Sequence, residues 1–538
     1  MEPPTPMLDE PPGETEVADP RRRNGILAAA VIGLVAVVAS VSGLNVAQVD
    51  LAAELGASQG DLLWIINGYT IALAALLLPI GAIGDRWGRK KVLITGLLVF
   101  LAANIAAPLA GSTGTLLIAR VVGGAAAAMV MPATLSVITS SFPAGERDRA
   151  VGVWAGFAGA GGIIGLLVSA LVVDYLSWHW VFALPIALAV VSLLLTFAFV
   201  PHSREHQDHP FDVVGSVLSA VAIGAIVLGI HEGPEKGWSE PLTLLGLIGG
   251  GIALIGFVVW ELRIPNPILQ LRVFRNRMLT SGSVSLLIVF ALLMALFLVV
   301  IQFLQAVLGY SAVRAAVGLL PLALVMMPMS TFAPHIARRV GMRAMFVAGA
   351  LLVGAGLALM GLMADTSYWS VLPGLLVLSF GTGLLMTPGT TAITSGLPPE
   401  EQGVASALND TVRELGGAVG VALIGSVLSA AYSSNVGGAT AGLPDQAAEA
   451  VKGGIGGAAA VSGQLGAAGA GVMDAARTAF IDAWQTTMWL SAGLAVAAAL
   501  FALVWTPNRR AEHAAQADES VLAGIAAGTG VVPETADA

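Results

Sequence analysis

Residues 81–91 read GAIGDRWGRKK, one acid and four bases set between an apolar run that begins at 62 and another that covers 92–110. A charged stretch this short, between runs long enough to cross a bilayer, is pinned at a membrane surface. Arg86, Arg89, Lys90 and Lys91 put it on the cytoplasmic side, where Lys and Arg accumulate. Asp85 is the acid. Gly81 and Gly84 let backbones approach closely, and Gly88 permits a tight turn. A positive cluster alone would serve any membrane protein as an inside anchor. The order of these residues says more, and the rest of the chain shows why.

The chain has 538 residues, 56% hydrophobic and 11% charged, with no cysteine. Soluble chains carry about 25% charged residues. So low a share over such a length argues for many membrane spans rather than several soluble domains. The lack of cysteine excludes disulfides, thiolate metal sites and a cysteine nucleophile. The net charge of −9 resides in the tails: residues 1–20 carry six acids and no base, and 508–538 carry five acids and two bases. The body is neutral, and nothing points to nucleic acid.

Residues 1–20 are rich in Pro and Glu and read as disordered. Arg21, Arg22 and Arg23 then face an apolar run that starts at Ile26. The acidic tail and the many later spans argue against a signal peptide. Apolar segments of crossing length recur near 25–48, 62–83, 92–110, 115–138, 151–173, 179–200, 213–231, 242–262, 280–305, 315–336, 344–363, 370–394, 405–431 and 483–505. They predict fourteen spans with both termini cytoplasmic. Of the 25 Lys and Arg, only Lys236, Arg314, Lys452 and Arg477 then fall outside, and Arg120 within a span. That asymmetry sets orientation. Residues 453–473 are uncharged but mostly Gly and Ala, which bury too little area to enter lipid. The stretch 433–481 therefore reads as a long extracellular connection. Residues 334–343, PHIARRVGMR, look like a second copy of the opening motif. Aligning Gly341 with Gly88 puts Arg339 on Arg86 and Arg338 on Asp85. An internal repeat fits a transporter built from two related halves.

Several residues could carry chemistry. Arg120 lies inside the fourth span, where a charge is costly and marks function. Asp410 and Glu414 are four apart and share a helical face, and Arg413 is one turn from Asp410. Two carboxylates on such a face offer proton sites. The alternative is a charged helix start at the cytoplasmic surface.

The opening stretch resembles the G-x-x-x-D-R-x-G-R-K signature of the major facilitator superfamily. Gly81, Asp85, Arg86, Gly88, Arg89 and Lys90 match, with Ile83 in the aliphatic place. Arg120, followed by small residues, is similar to the superfamily's second signature, and the resemblance implies that it lies near Asp85 and takes part in proton transfer. Gly123 stands where relatives often have Gln. In the fifth span Gly165 is followed by Leu166, not the Pro of antiporters, and Ser169 and Ala170 replace usual glycines. SWHWVF, from Ser177 to Phe182, resembles the family's W-R-W-I-F. Asn45, Val46 and Ala47 match the first-span pattern of fourteen-span drug exporters, but Ser40 takes the place of its Asp. Asp50, nearer the outer end, reads as a solvated helix-end acid, with partial replacement of that Asp as the alternative. WIINGY, with Trp64, Asn67 and Tyr69, matches W-V-V-T-x-Y. HEGPEKGW, from His231 to Trp238, matches the loop between the inserted spans. Gln305, Gly309, Tyr310, Ser311 and Pro321 match a further family stretch, and 403–427 resembles the thirteenth helix almost throughout.

The resemblance covers about 25–505 and is to the fourteen-span drug:proton antiporter family of that superfamily. It implies an all-α integral membrane protein of two six-helix half-bundles plus two inserted helices. The expected organisation is a disordered tail 1–24, half-bundle 25–200, inserted spans within 201–278, half-bundle 279–507, and a disordered tail 508–538. The implied function is export of small amphipathic compounds across the plasma membrane by alternating access, coupled to protons. Gly81, Asp85, Arg86, Gly88, Arg89 and Lys90 would form a conformational latch, with Asp85 meeting the start of the thirteenth span when the cytoplasmic side is closed. Arg120, Asp410 and Glu414 would couple protons, and Asn45, Trp64, Asn67, Tyr69 and Gln305 would line the substrate cavity. Substrate, protons and the bilayer are the expected partners of a monomer, with no cofactor, metal or enzymatic activity. No nucleotide-binding P-loop appears. A facilitator or single-metabolite exporter is the alternative within transport, favoured by Ser40 and Leu166. A non-transporting receptor or scaffold is the alternative outside it.

Overall fold

The computed structural model describes residues 16–508, apart from 45–46, 56, 58, 203–210, 364, 366 and 441–442. The readings made for 1–15, for 509–538 and for Asn45 lie outside the described residues, as does the side chain of Asp50. Among the described residues there is no strand, and fourteen helices are long and apolar enough to cross a membrane. They are α1 Pro20–Gly43, α2 Gln59–Trp87, α3 Arg89–Ala106, α4 Thr113–Ser141, α5 Ala144–Tyr175, α6 Ala183–Phe199, α7 Val213–Lys236, α8 Pro241–Glu261, α9 Arg277–Gln302, α10 Ala312–Val340, α11 Met342–Leu362, α12 Tyr368–Thr394, α13 Gln402–Val436 and α14 Ala470–Trp505.

Several ends differ from the sequence reading; α5, for one, begins at Ala144 rather than 151. Helix α1 starts at Pro20, not 25, because Asp19 accepts a hydrogen bond from the Arg21 amide at 2.9 Å and proline suits the first helical position. The long connection expected over 433–481 is mostly helical: α13 runs on to Val436, α14 begins at Ala470, and Asp445–Gly453 and Ile455–Leu465 form two short helices between them. Hydropathy gauges entry into lipid, whereas the alanines here favour helix whatever surrounds them. Val451, Ile455, Ala458 and Val461 are buried, as are Ala476 and Phe480 early in α14. The 11 residues of Ile455–Leu465 are too few to cross a bilayer.

Helices α1 to α6 pack among themselves, as do α9 to α14. The two groups meet where α2 and α4 touch α13 and where α5 touches α10 and α12. Helices α7 and α8 form a hairpin whose α7 rests on α2 and α13. The interfaces depend on small residues that bring backbones together. A Cβ on Gly81 would lie 2.6 Å from the Gly403 carbonyl, and one on Gly152 would lie 2.8 Å from that of Ser330. Single glycines join α2 to α3 and α10 to α11. Gly88 has φ 101° and Gly341 φ 85°, a region that other residues enter only with strain.

Candidate functional site

The first part of the site lies where α2 ends against the start of α13. The first amides of any helix lack partners within it, and Glu401, which precedes α13, gives it no side-chain cap. Asp85 supplies the cap from another helix. Its Oδ1 accepts from the Gly403 amide at 2.7 Å and its Oδ2 from the Val404 amide at 3.0 Å. The carboxylate is buried and lies at the positive end of the α13 dipole. Arg89, one turn on, is 3.2 Å from Asp85 Oδ1 and also donates to the Pro399 carbonyl at 2.9 Å. Lys90 reaches the other way, donating to the Val200 carbonyl at 2.6 Å just past α6. Arg86 is half-buried at the same turn.

Arg120 sits in the second turn of α4 and is 3% exposed, so it does not reach for the membrane surface. Its Nη1 donates to the Ser40 carbonyl at 3.2 Å and to Ser40 Oγ at 3.1 Å, and its guanidinium lies 4.2 Å above the Tyr69 ring. Ser40 Oγ in turn donates to Asn104 Oδ1 at 3.1 Å, and the Tyr69 hydroxyl donates to the Val37 carbonyl at 3.3 Å. The expectation that Arg120 lies near Asp85 is therefore corrected: its partners are on α1 and α2, not at the Gly88 turn. The reason is register. Arg120 is close to the start of α4, whereas Asp85 is in the last turn of α2, and the two helices run parallel, with Ile65 beside Arg120 and Tyr69 beside Gly124, so those two ends lie at opposite faces of the bundle. Buried Nη2 of Arg120 has no hydrogen-bond partner.

The third part lies two turns into α13. Asp410 is fully buried, so it does not stand at a solvated helix start. Its Oδ1 accepts from Arg413 Nη1 at 3.3 Å and from Asn409 Nδ2 at 3.2 Å, while Oδ2 has no partner. The Arg413 guanidinium is 4.4 Å from the Phe290 ring centroid on α9 and 5.3 Å from that of Trp154 on α5. A buried cation thus rests on two aromatic faces and one carboxylate. Glu414 is half-buried, beside Asp410 and within electrostatic reach of Tyr69 on α2.

Of the residues assigned to a cavity, Tyr69 is sealed beneath Arg120, and Trp64 and Asn67 are half-buried on α2. Gln305 is exposed on the π-helical turn Phe303–Val307, and the structure does not gather it with the others. An apolar cleft of about 380 Å³ lies apart from the charges, between Ile230 and Trp238 at the end of α7 and Val419 to Ala430 of α13. Sequence reasoning passed over Asn104 and Trp154. Asn104 carried a usable signal, an amide alone in an apolar span. Trp154 carried none, since only the fold brings it to Arg413.

The family description Major Facilitator Superfamily matches residues 30–421. The chain is 30% identical over 411 residues to the multidrug resistance protein Stp of Mycobacterium tuberculosis, covering 76% of each chain. It is 32% identical over 443 residues to the multidrug efflux pump LfrA of Mycolicibacterium smegmatis, covering 81% of this chain and 87% of that one. Among solved structures it is similar to the proton:xylose symporter XylE, with a TM-score of 0.59 at 13% identity over 91% of this chain and 96% of the other.

Proposed function

Because the chain belongs to the Major Facilitator Superfamily, we propose that it is a secondary exporter of small amphipathic compounds, driven by proton entry. It would work as a monomer in the plasma membrane with both termini in the cytoplasm. The multidrug names of two relatives support the substrate class. The observation that carries the coupling is Asp410 Oδ2, buried and without a partner. A carboxylate with one unsatisfied oxygen in a low-dielectric interior gains most by taking a proton there, since no existing bond has to break.

The steps follow from the contacts. With Asp410 ionised, Arg413 is held at its Oδ1. Protonation removes most of that attraction and leaves the cation to Phe290 and Trp154. Arg413 is therefore free to shift between α13 and the helices of the first group. Asp85 meanwhile pins the start of α13 to α2, and opening that end requires both amide bonds to break. Proton and substrate each bias the two states by their differential affinity, and the proton gradient sets the direction of net flow. Glu414, beside Asp410 and facing Tyr69, is the second proton site.

A facilitator without strict coupling is the second reading. It is favoured by Ser40 beside Arg120, where a carboxylate would otherwise pair with the arginine. Uptake of a cationic amphipathic dye into proteoliposomes, with and without an imposed pH gradient, separates the two. Asp410→Asn should abolish the response to the gradient and leave downhill exchange intact. Gradient-driven accumulation by a double Asp410→Asn, Glu414→Gln protein would sink the assignment. A wild type indifferent to the gradient would favour the facilitator.

A further inference from the structure

Asp212, which caps α7, and Glu261, the last residue of α8, meet at the base of the inserted hairpin, on the same end of the bundle as Gly88. Each carboxyl has one oxygen that is already satisfied. Asp212 Oδ1 accepts from the Gly215 amide at 2.8 Å and from Trp260 Nε1 at 3.0 Å. Glu261 Oε2 accepts from the Leu269 amide at 3.1 Å. The other two oxygens, Asp212 Oδ2 and Glu261 Oε1, are buried and have no hydrogen-bond donor. Glu261 as a whole is 4% exposed. A methyl group built on Gly215 would collide with both of these oxygens. They therefore face each other across the space of a single side-chain atom, over a glycine that leaves it open.

Two ionised carboxylates cannot share such a space. They are acceptors only, and like charges at contact distance under burial cannot both persist. No Lys, Arg or His among the described residues acts on Glu261 from α7, α8, the segment after α8 or the adjoining α2; the charged group that does is Asp212. We propose that Asp212 and Glu261 bind one proton between them, forming a proton site on the inserted hairpin that is separate from Asp410 and Glu414. The proton makes one carboxyl a donor to the other, and the two unpartnered oxygens become one hydrogen bond. Both halves of the site are otherwise held by N–H donors that do not titrate.

The placement gives the site a reach beyond the hairpin. The segment that Glu261 holds through Leu269 continues into Gln270, whose Nε2 donates to Glu401 Oε1 at 3.3 Å. Glu401 directly precedes α13, whose first amides bind Asp85. Loss of the proton puts two like charges at the hairpin base and loosens the segment that leads to the Asp85 contact. The proton concentration on the Gly88 side thus bears on the footing of α13 independently of the transport path.

The test uses the full chain in detergent and in liposomes. In Glu261→Gln, the amide still accepts from Leu269 and supplies its own N–H to Asp212, so no proton is needed. Infrared spectra across a pH series should show, in wild type, a component of the protonated-carboxyl absorption that is lost as pH rises and is missing from Glu261→Gln, while any component from Asp410 and Glu414 persists. The wild-type unfolding temperature should fall by several degrees from mildly acidic to mildly alkaline pH. The proton's contribution is present at low pH and disappears as the pair ionises. The variant should lack that component. Asp212→Asn, which keeps the Oδ1 acceptor of the α7 cap, should behave alike and serves if Glu261→Gln does not fold. Identical pH profiles in wild type and both variants overturn the proposal. So does recovery of alkaline stability on adding sodium, potassium or magnesium, which would make the pair a cation site.

Discussion

At Gly88 the helix before the turn carries Asp85, whose two oxygens accept hydrogen bonds from two amides of α13. At Gly341 the helix before the turn carries Arg338 and Arg339, both exposed, and Arg338 is within electrostatic reach of half-buried Asp148 near the start of α5. The backbones match: helix, one left-handed glycine, helix. The partners match as well, since each turn faces the beginning of a helix from the other group. The chemistry does not. A buried carboxylate on a helix N-terminus is directional and charge-assisted, with two bonds that are either made or broken. An exposed Arg opposite an acid is a diffuse attraction that water and salt weaken. The α2–α13 contact can therefore act as a switch. The α5–α10 contact, held by Ser330 Oγ on the Gly152 carbonyl at 3.0 Å, with the Ser330 hydroxyl itself 2.8 Å from that of Thr387 on α12, reads as a standing contact about which the switch works.

Breaking the stronger side should have the largest effect. Asp85→Asn keeps one acceptor and loses the charge, and a hydrogen bond to a charged group is worth about 1.5–3 kcal/mol. The ratio of closed to open protein at this end should fall by about tenfold or more. Because the chain has no cysteine, spin labels at Trp87→Cys and Glu400→Cys can report the separation directly. An unchanged distance distribution, with normal dye export, would mean that Asp85 caps α13 without controlling it.

The interiors repeat the contrast with the signs exchanged. In the first group Arg120 is a buried cation bound to neutral partners; in the second Arg413 is paired with Asp410. Arg120→Leu should lower export by about tenfold or more, because a membrane-buried charge is retained only for a role. Arg120→Lys should recover part of that loss, since Lys keeps the charge but not the planar fork that bonds Ser40 and covers Tyr69. Equal export by Arg120→Leu and wild type would remove Arg120 from the mechanism. The shared backbone offers the complementary check. Gly88→Ala and Gly341→Ala each force a side chain into the left-handed region, at about 1–2 kcal/mol. Both should lower thermal stability alike, although only the first adjoins the Asp85 contact. A large difference in unfolding temperature between them would break the claim that the two turns are equivalent.

Much of this could be read from the residues. Fourteen apolar runs, the Lys and Arg asymmetry and the glycine between two long helices are local signals, and each depends on few neighbours. The second turn was legible for the same reason, as Gly341 takes the place of Gly88. The resemblance directed Asp85 to the start of the thirteenth span, where it is found, but not to the Gly403 and Val404 amides, since a sequence names no amide as special. Arg120 was correctly singled out as intramembrane and wrongly placed near Asp85. Charge type is visible in a sequence, whereas the register between two parallel helices is not. That most of 433–481 is helical was not legible, because hydropathy answers whether a segment enters lipid, not whether it winds into helix.

The weakest contact gives the finest test. Arg338 is exposed and Asp148 half-buried, so their attraction acts partly through water and is worth at most about 0.5–1 kcal/mol. Arg338→Gln should change dye export by less than about twofold, within the range that an exposed pair can contribute. The effect should shrink further at high salt, since the Debye length falls to about 3 Å at 1 M. Asp85→Asn should keep most of its effect there, because its bonds are buried and short. Measuring both variants at low and high salt therefore separates the two closures by mechanism as well as by size. A salt-insensitive loss in Arg338→Gln as large as that in Asp85→Asn would show that the α10 turn is a second latch, and that opening at this end breaks two closures rather than one.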